Sequence, residues 1–156
     1  MLAIVIDEGP HASLNELRTH ARNIFSAALI ASDPGAAVKT NLRLRGDRLH
    51  VAGRAYELAS IRRIFVAGCG KASAPMASAV EALLGDKIAD GVIVVKYGHG
   101  LPLKKVRVVE AGHPIPDQAG LDGARRVVEL VYKCDERDSG LVSDFGRRFG
   151  AFAFSG

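Results

Sequence analysis

The 156-residue sequence has no tryptophan, two cysteines and 6% aromatic residues. Two cysteines cannot build a disulfide framework, and Cys69 and Cys134 form neither a CxxC pair nor a metal-ligand spacing. Free thiols in a reducing compartment are therefore expected. No apolar run approaches the ~18 residues needed to span a membrane. The opening MLAIVID has no basic start, is too short for a secretory signal and runs straight into Asp7 and Glu8. These features predict a cytoplasmic protein with no membrane partner. The sequence also lacks internal repeats, low-complexity segments and a GxxxxGK[ST] phosphate loop.

The formal net charge is +4, and Arg43, Arg45, Arg48, Arg54, Arg62, Arg63, Lys104, Lys105, Arg147 and Arg148 carry much of it. No aromatic residues are interleaved with these cations and no binding motif accompanies them. They read as solvated surface, and no nucleic-acid partner is expected. The length suits one domain with a sizeable core.

Residues 1–12 read as a loose leader. Ser13 and Glu16 then match a capping box, opening a helix with Leu14, Leu17, Ala21, Ile24, Phe25, Ala28 and Leu29 on one face. Pro34 suits the first turn of a second helix, with Val38 and Leu42 on its apolar side and Gly46 as its cap. A short strand over Arg48–Ala52 turns at Gly53 and pairs back through Tyr56–Leu58. From Arg63 onward strands and helices alternate: a strand over 63–67, a helix over Ser73–Leu84, the β-branched run Gly91–Tyr97, a strand over Lys105–Glu110 and a helix over Gln118–Tyr132. The last helix is expected to turn Leu121, Ala124, Val127, Val128 and Val131 inward. Such alternation predicts an α/β fold with a parallel sheet.

Three loops after predicted strands carry the chemistry. Gly68-Cys69-Gly70-Lys71-Ala72-Ser73 joins a strand to a helix. Glycine lets the backbone approach a ligand, and helix amides favour an anion. Lys71 adds a mobile positive charge. The same residues also suit a plain tight turn. They overlap the dinucleotide pattern GxGxxG/A, with Ser73 in place of the third glycine, but the next strand ends in Lys96-Tyr97 rather than in the acid that binds a ribose. The second loop is Lys96-Tyr97-Gly98-His99-Gly100, and the third is Glu110 to Asp117, containing His113. His113 can move a proton or hold an anion; Asp117 reads as a helix cap. A parallel sheet would gather all three loops on one edge.

Taken together, VAGCGKASAPMASAVE, GVIVVKYGHGLPL and VVEAGHPIPDQAG resemble, in this order, the bacterial and archaeal glycerate 2-kinases of the MOFRL-containing type. ARNIFSAALIASDPGAAV resembles that family's N-terminal segment, so the resemblance runs from about Leu17 to Val131. It implies ATP-dependent phosphorylation of D-glycerate with a divalent metal such as Mg. It also implies an alternative, because many members, notably in tartrate-degradation gene clusters, carry the name hydroxypyruvate reductase, an NAD(P)H enzyme. By resemblance, Lys71 is the catalytic group. Gly68, Gly70 and Ser73 would line a nucleotide or phosphate loop, and Lys96, His99 and His113 would bind a small hydroxy acid; no metal ligand is assigned. The implied fold is α/β, with Rossmann-like parallel-sheet layers and N-terminal helices, as an incomplete N-terminal piece of a larger domain. Its bounds would be residues 13–138.

The family continues past this point with a strand and a loop resembling DLVLxLISGGGSALL. Here SGLVSDFGRRFGAFAFSG follows Asp138 and shows neither helical nor strand period. One permissible set of codons for this tail, read in the adjacent frame, spells LVLCLISGGGSALLPF. A frameshift after Asp138 is therefore expected, with residues 139–156 poorly packed and the truncated chain inactive.

Overall fold

The computed structural model describes residues 12–143 and 149–153, with side chains as far as Leu141. The leader expected over residues 1–12 lies outside the described residues except for Ala12. The chain forms two compact units, residues 1–33 and 34–156.

The first unit is one helix, α1 (Leu14–Ala31). The capping box forms as read: Ser13 Oγ accepts from the Glu16 amide at 3.3 Å, and the Glu16 carboxylate accepts from the Ser13 amide at 2.7 Å. No residue of α1 is buried. The apolar stripe is present by spacing, yet Ile24 is 71% and Phe25 65% exposed. Periodicity identifies the face that would bury apolar area without supplying what buries it.

The second unit begins with α2 (Pro34–Asn41), followed by three antiparallel strands, β1 (Leu42–Arg45), β2 (Arg48–Val51) and β3 (Arg54–Glu57). The expected extension of α2 to Gly46 is corrected here. Leu42-Arg43-Leu44-Arg45 alternates with a period of two and pairs with β2, placing Leu42 opposite Val51 and Leu44 opposite Leu49. Gly46, at φ 55°, turns the hairpin instead of capping a helix. Leu42 is buried as expected, but as a strand residue.

The larger sheet contains β4 (Arg63–Cys69), β5 (Ile88–Lys96), β6 (Arg107–Ala111), β7 (Asp138–Ser143) and β8 (Phe149–Ala153) in the order β6-β5-β4-β7-β8. The first four are parallel, and β8 runs antiparallel along β7. Helices α3 (Ser73–Leu84) and α4 (Gln118–Tyr132) match their expected limits. Alternation in β4 divides the core. Ile64 and Val66 pack with Val80 and Leu84 of α3 and with Leu42, Leu49 and Val51 of the small sheet. Phe65 packs on the opposite side with Val92 and with Leu130 of α4. Each such large side chain stabilises the fold by about 1.5–3 kcal/mol through burial.

Two further expectations are corrected. Helix α4 buries Gly123 and Leu130, with Val127 half-buried, whereas Leu121, Ala124, Val128 and Val131 are exposed. The inward face is therefore centred on 123, 127 and 130. A Cβ at Gly123 would come within 2.8 Å of Val94 Cγ2 and 3.1 Å of Val109 Cγ1, so the helix sits on the sheet where a side chain is missing. Second, residues 139–143 are not an aperiodic tail. They extend β7, pair in register with Ile64–Gly68, and bury Ser139, Gly140 and Leu141. Small and polar residues hid a strand that is enclosed on both sides. Of the remaining tail, residues 149–153 form β8; residues 144–148 and 154–156 lie outside the described residues.

At the amino-terminal edge of the sheet, Asp138 has a fully buried side chain. Arg63 donates to it through Nη2 at 2.7 Å and Nε at 3.1 Å, Arg62 through Nη2 at 3.1 Å and the Asp135 amide at 2.9 Å. Arg62 also pairs with Asp135. The Arg63 hydrogen bonds hold the Asp138 carboxyl well below the usual carboxylate range.

Candidate functional site

The three sequence motifs meet at the carboxyl edge of the parallel sheet. Strand β4 ends at Cys69, and Gly70 follows at φ 102°, a conformation that side chains rarely adopt. Its amide donates to Val94 O at 2.8 Å, which fastens the turn to β5. The Ser73 amide donates to Gly70 O at 3.1 Å as α3 begins. No side chain caps α3. Lys71 lies in this turn, exposed at the helix entrance.

Strand β5 delivers Lys96, half-buried, and the chain turns at Gly98 with φ 75°. Glu110 Oε1 accepts from the Gly98 amide at 3.1 Å and from the Gly100 amide at 2.9 Å, which gathers the Lys96–Gly100 loop against β6. Strand β6 delivers Ala111, Gly112 and the exposed His113. Asp117 then caps α4, its Oδ1 accepting from the Gly120 amide at 2.9 Å and its Oδ2 from the Tyr97 hydroxyl at 2.8 Å. The Gly120 amide, followed by Tyr97 and the Gly112 amide, lowers the Asp117 carboxyl, and Asp117 in turn raises the Tyr97 hydroxyl.

Between these ends lies a cavity of about 220 Å³. Three stretches line it: Cys69–Lys71 from the β4 turn, Val94–Lys96 from β5, and Ala111–His113 after β6. Gly70, Lys71, Lys96 and His113 are thus brought together as the spacing implies. Gly68 remains inside β4, Ser73 is 1% exposed at the root of α3, and His99 is exposed; none of these three lines the cavity. Sequence reasoning missed the apolar floor of Val94 and Val95, Cys69 in the lining and the Glu110 carboxylate that holds a loop; it read Asp117 as the helix cap it is, but not as the acceptor from Tyr97. An acid on the next strand, 10 and 12 positions after two loop glycines, was the available signal for Glu110.

The lining contains two lysines and a histidine but no carboxylate. Among the described residues, no three His, Cys, Asp or Glu side chains form a group that could hold a metal ion. The described lining therefore does not fit a divalent cation, and its positive groups suit an anion directly. Among the described residues, no helix is long and apolar enough to cross a membrane.

A family model described as "Domain of unknown function (DUF4147)" matches residues 20–143. The chain belongs to the DUF4147 family. Within that family's reach it is similar to a glycerate 2-kinase of Pyrococcus horikoshii, at 35% identity over 123 residues, covering 79% of this chain and 27% of the relative. It is also similar to a protein of Agrobacterium vitis named as a hydroxypyruvate reductase, at 38% identity over 112 residues, covering 70% of this chain and 22% of that one. A crystal structure of glycerate kinase from Thermotoga maritima superposes with a TM-score of 0.64 at 34% identity, covering 82% of this chain and 28% of the other. The chain thus spans about a quarter of the length of the relatives it matches. The DUF4147 match continues five residues beyond Asp138, as far as β7 does.

Proposed function

We infer that this DUF4147 chain forms the acid-binding wall of a glycerate 2-kinase, which transfers a phosphoryl group from ATP to D-glycerate. The observation that carries this reading is the convergence of Lys71, Lys96 and His113 on one small cavity whose lining has no carboxylate. At about 220 Å³ the cavity is smaller than the roughly 300–1,000 Å³ of sites for drug-sized ligands. It suits a three-carbon acid and a phosphoryl group rather than a whole nucleotide. ATP supplies the phosphoryl group. Lys71 and the amides at the start of α3 stabilise negative charge near the β4 turn. Lys96 and His113 hold the carboxylate or hydroxyl of the acid at the β5 and β6 ends.

The second reading, NAD(P)H-dependent reduction of hydroxypyruvate, draws support from the Agrobacterium name and from the glycines of the β4 turn. It would need an acid at the β5 tip for a ribose. The residue there is Lys96, and nearby Glu110 already accepts two loop amides. We place the reaction in the cytoplasm, in the breakdown of small hydroxy acids such as tartrate and glycerate, with neither nucleic-acid nor membrane partners.

Binding is the first property to measure, because turnover in such an enzyme draws on regions beyond this quarter. In a calorimetric titration of the 156-residue protein, D-glycerate or inorganic phosphate should bind. Lys71→Ala should weaken binding about ten- to hundredfold, the weight of a hydrogen bond to a charged group. Coupled assays of glycerate plus ATP, beside hydroxypyruvate plus NADH or NADPH, distinguish the two reactions. Reduction of hydroxypyruvate without ATP-dependent activity would reverse the preference.

A further inference from the structure

Asp117 does more than cap α4. Its carboxylate accepts from two elements at once: the Gly120 amide in the first turn of α4 at 2.9 Å and the Tyr97 hydroxyl just after β5 at 2.8 Å. Gly112 lies close against Asp117: a Cβ there would come within 3.2 Å of Asp117 Oδ2 and 2.5 Å of Ile115 O. The Tyr97 amide also donates to Ala111 O at 3.1 Å, which joins the same two loops through their backbones.

Lys96 immediately precedes Tyr97, and His113 immediately follows Gly112. Lys96 and His113 therefore belong to two loops that the Tyr97–Asp117 and Tyr97–Ala111 hydrogen bonds hold together. The Lys71 turn is fastened at a different point, by the Gly70 amide to Val94 O inside β5. We propose that the Tyr97–Asp117 hydrogen bond is a clasp that fixes the spacing of Lys96 and His113. Tyr97 and Asp117 are thereby positioning residues for the acid, separate from the Lys71 wall. This rests on the glycerate reading for the identity of the acid, but the clasp itself does not.

The charge environment agrees. Asp117 faces the Tyr97 hydroxyl and the Gly120 amide, with Glu110 the other charged group acting on Tyr97. Among the described residues no salt bridge to Asp117 is found, and the carboxylate relies on these donors. The hydroxyl of Tyr97 is therefore one of a small set of contacts. Tyr97 itself is 52% exposed, so its aromatic ring adds little packing and its hydroxyl can be removed with little disturbance of the core.

The test uses Tyr97→Phe in the 156-residue protein, which deletes one oxygen and leaves the α4 cap in place. Two readouts are taken by NMR. The first is ligand-free: hydrogen exchange at the position-97 amide, which donates to Ala111 O, should rise about threefold to tenfold, while exchange at the Gly120 amide should stay within twofold. Unchanged exchange at the position-97 amide overturns the proposal, whatever the protein binds. The second is a titration with D-glycerate and, separately, with inorganic phosphate. The dissociation constant for D-glycerate should rise about threefold to tenfold, with phosphate affinity at the Lys71 wall within twofold. Equal weakening of both ligands would show a general structural role and overturn the clasp. Faster exchange at the position-97 amide in a protein that binds no D-glycerate would retain the clasp and remove the glycerate reading instead.

Discussion

The two edges of the parallel sheet use the same kind of residue in opposite ways. At the amino edge, Arg62 and Arg63 converge on the buried Asp138 and are joined by Asp135, so the positive charge is answered within the fold. At the carboxyl edge, Lys71, Lys96 and His113 surround a cavity with no carboxylate in its lining. A cation matched from inside serves stability, whereas one left facing open space serves whatever anion arrives. Arginine suits the first task, because its planar fork can donate to both oxygens of a carboxylate, and lysine suits the second as a mobile point charge.

This contrast can be broken most forcefully at Asp138. Asp138→Ala leaves two partly exposed arginines without their shared carboxylate and should lower the free energy of unfolding by about 1.5–3 kcal/mol, measured by urea denaturation. A loss below about 1 kcal/mol would mean that solvent already serves these arginines. Lys71→Met is the opposite case. It should change unfolding free energy by no more than about 0.5 kcal/mol, as at an exposed position, while weakening phosphate binding. A large loss of stability on Lys71→Met would erase the distinction between the edges.

The pH dependence sharpens the comparison with a smaller effect. The folded-state pKa of Asp138 is depressed, so its contribution is fully present above the unfolded value of about 3.9 and fades as pH falls through the folded value. Melting curves from pH 7 to pH 5 should show no change from this group, and those below pH 4 should show progressive loss. Asp138→Asn should start less stable and lose less on acidification. Equal acid sensitivity in both proteins would assign the loss to other carboxylates.

Much of this arrangement was legible in the sequence. The helix over Ser73–Leu84 and the start of α4 at Asp117 were both read from the sequence, as were the parallel β4 and β5 from continuous apolar runs. Gathering Lys71, Lys96 and His113 required only that strands carrying loops run in one direction. The failures have common causes. Leu42–Arg45 was assigned to a helix because Val38 and Leu42 are four apart, a spacing that also fits the end of one helix followed by a strand. In α4, an apolar stripe was visible, but Gly123 carries no hydrophobicity and still marks the closest approach. Residues 138–143 carry too few apolar side chains to signal a strand, yet the sheet encloses them between β4 and β8. Asp138 illustrates the remaining difficulty: nothing in a one-dimensional pattern joins it to arginines 75 and 76 positions earlier.

Gly123 also bears on how affinity could be adjusted in this fold. Val94 is shared: it belongs to the cavity lining, and its methyl groups lie beneath the missing side chain at position 123. Helix and cavity therefore meet at one residue. A methyl group introduced on the helix side would have to displace either Val94 or α4, taking Asp117 with it. Substitution along the back of α4 thus offers a route to retune binding in which every residue facing the ligand stays the same.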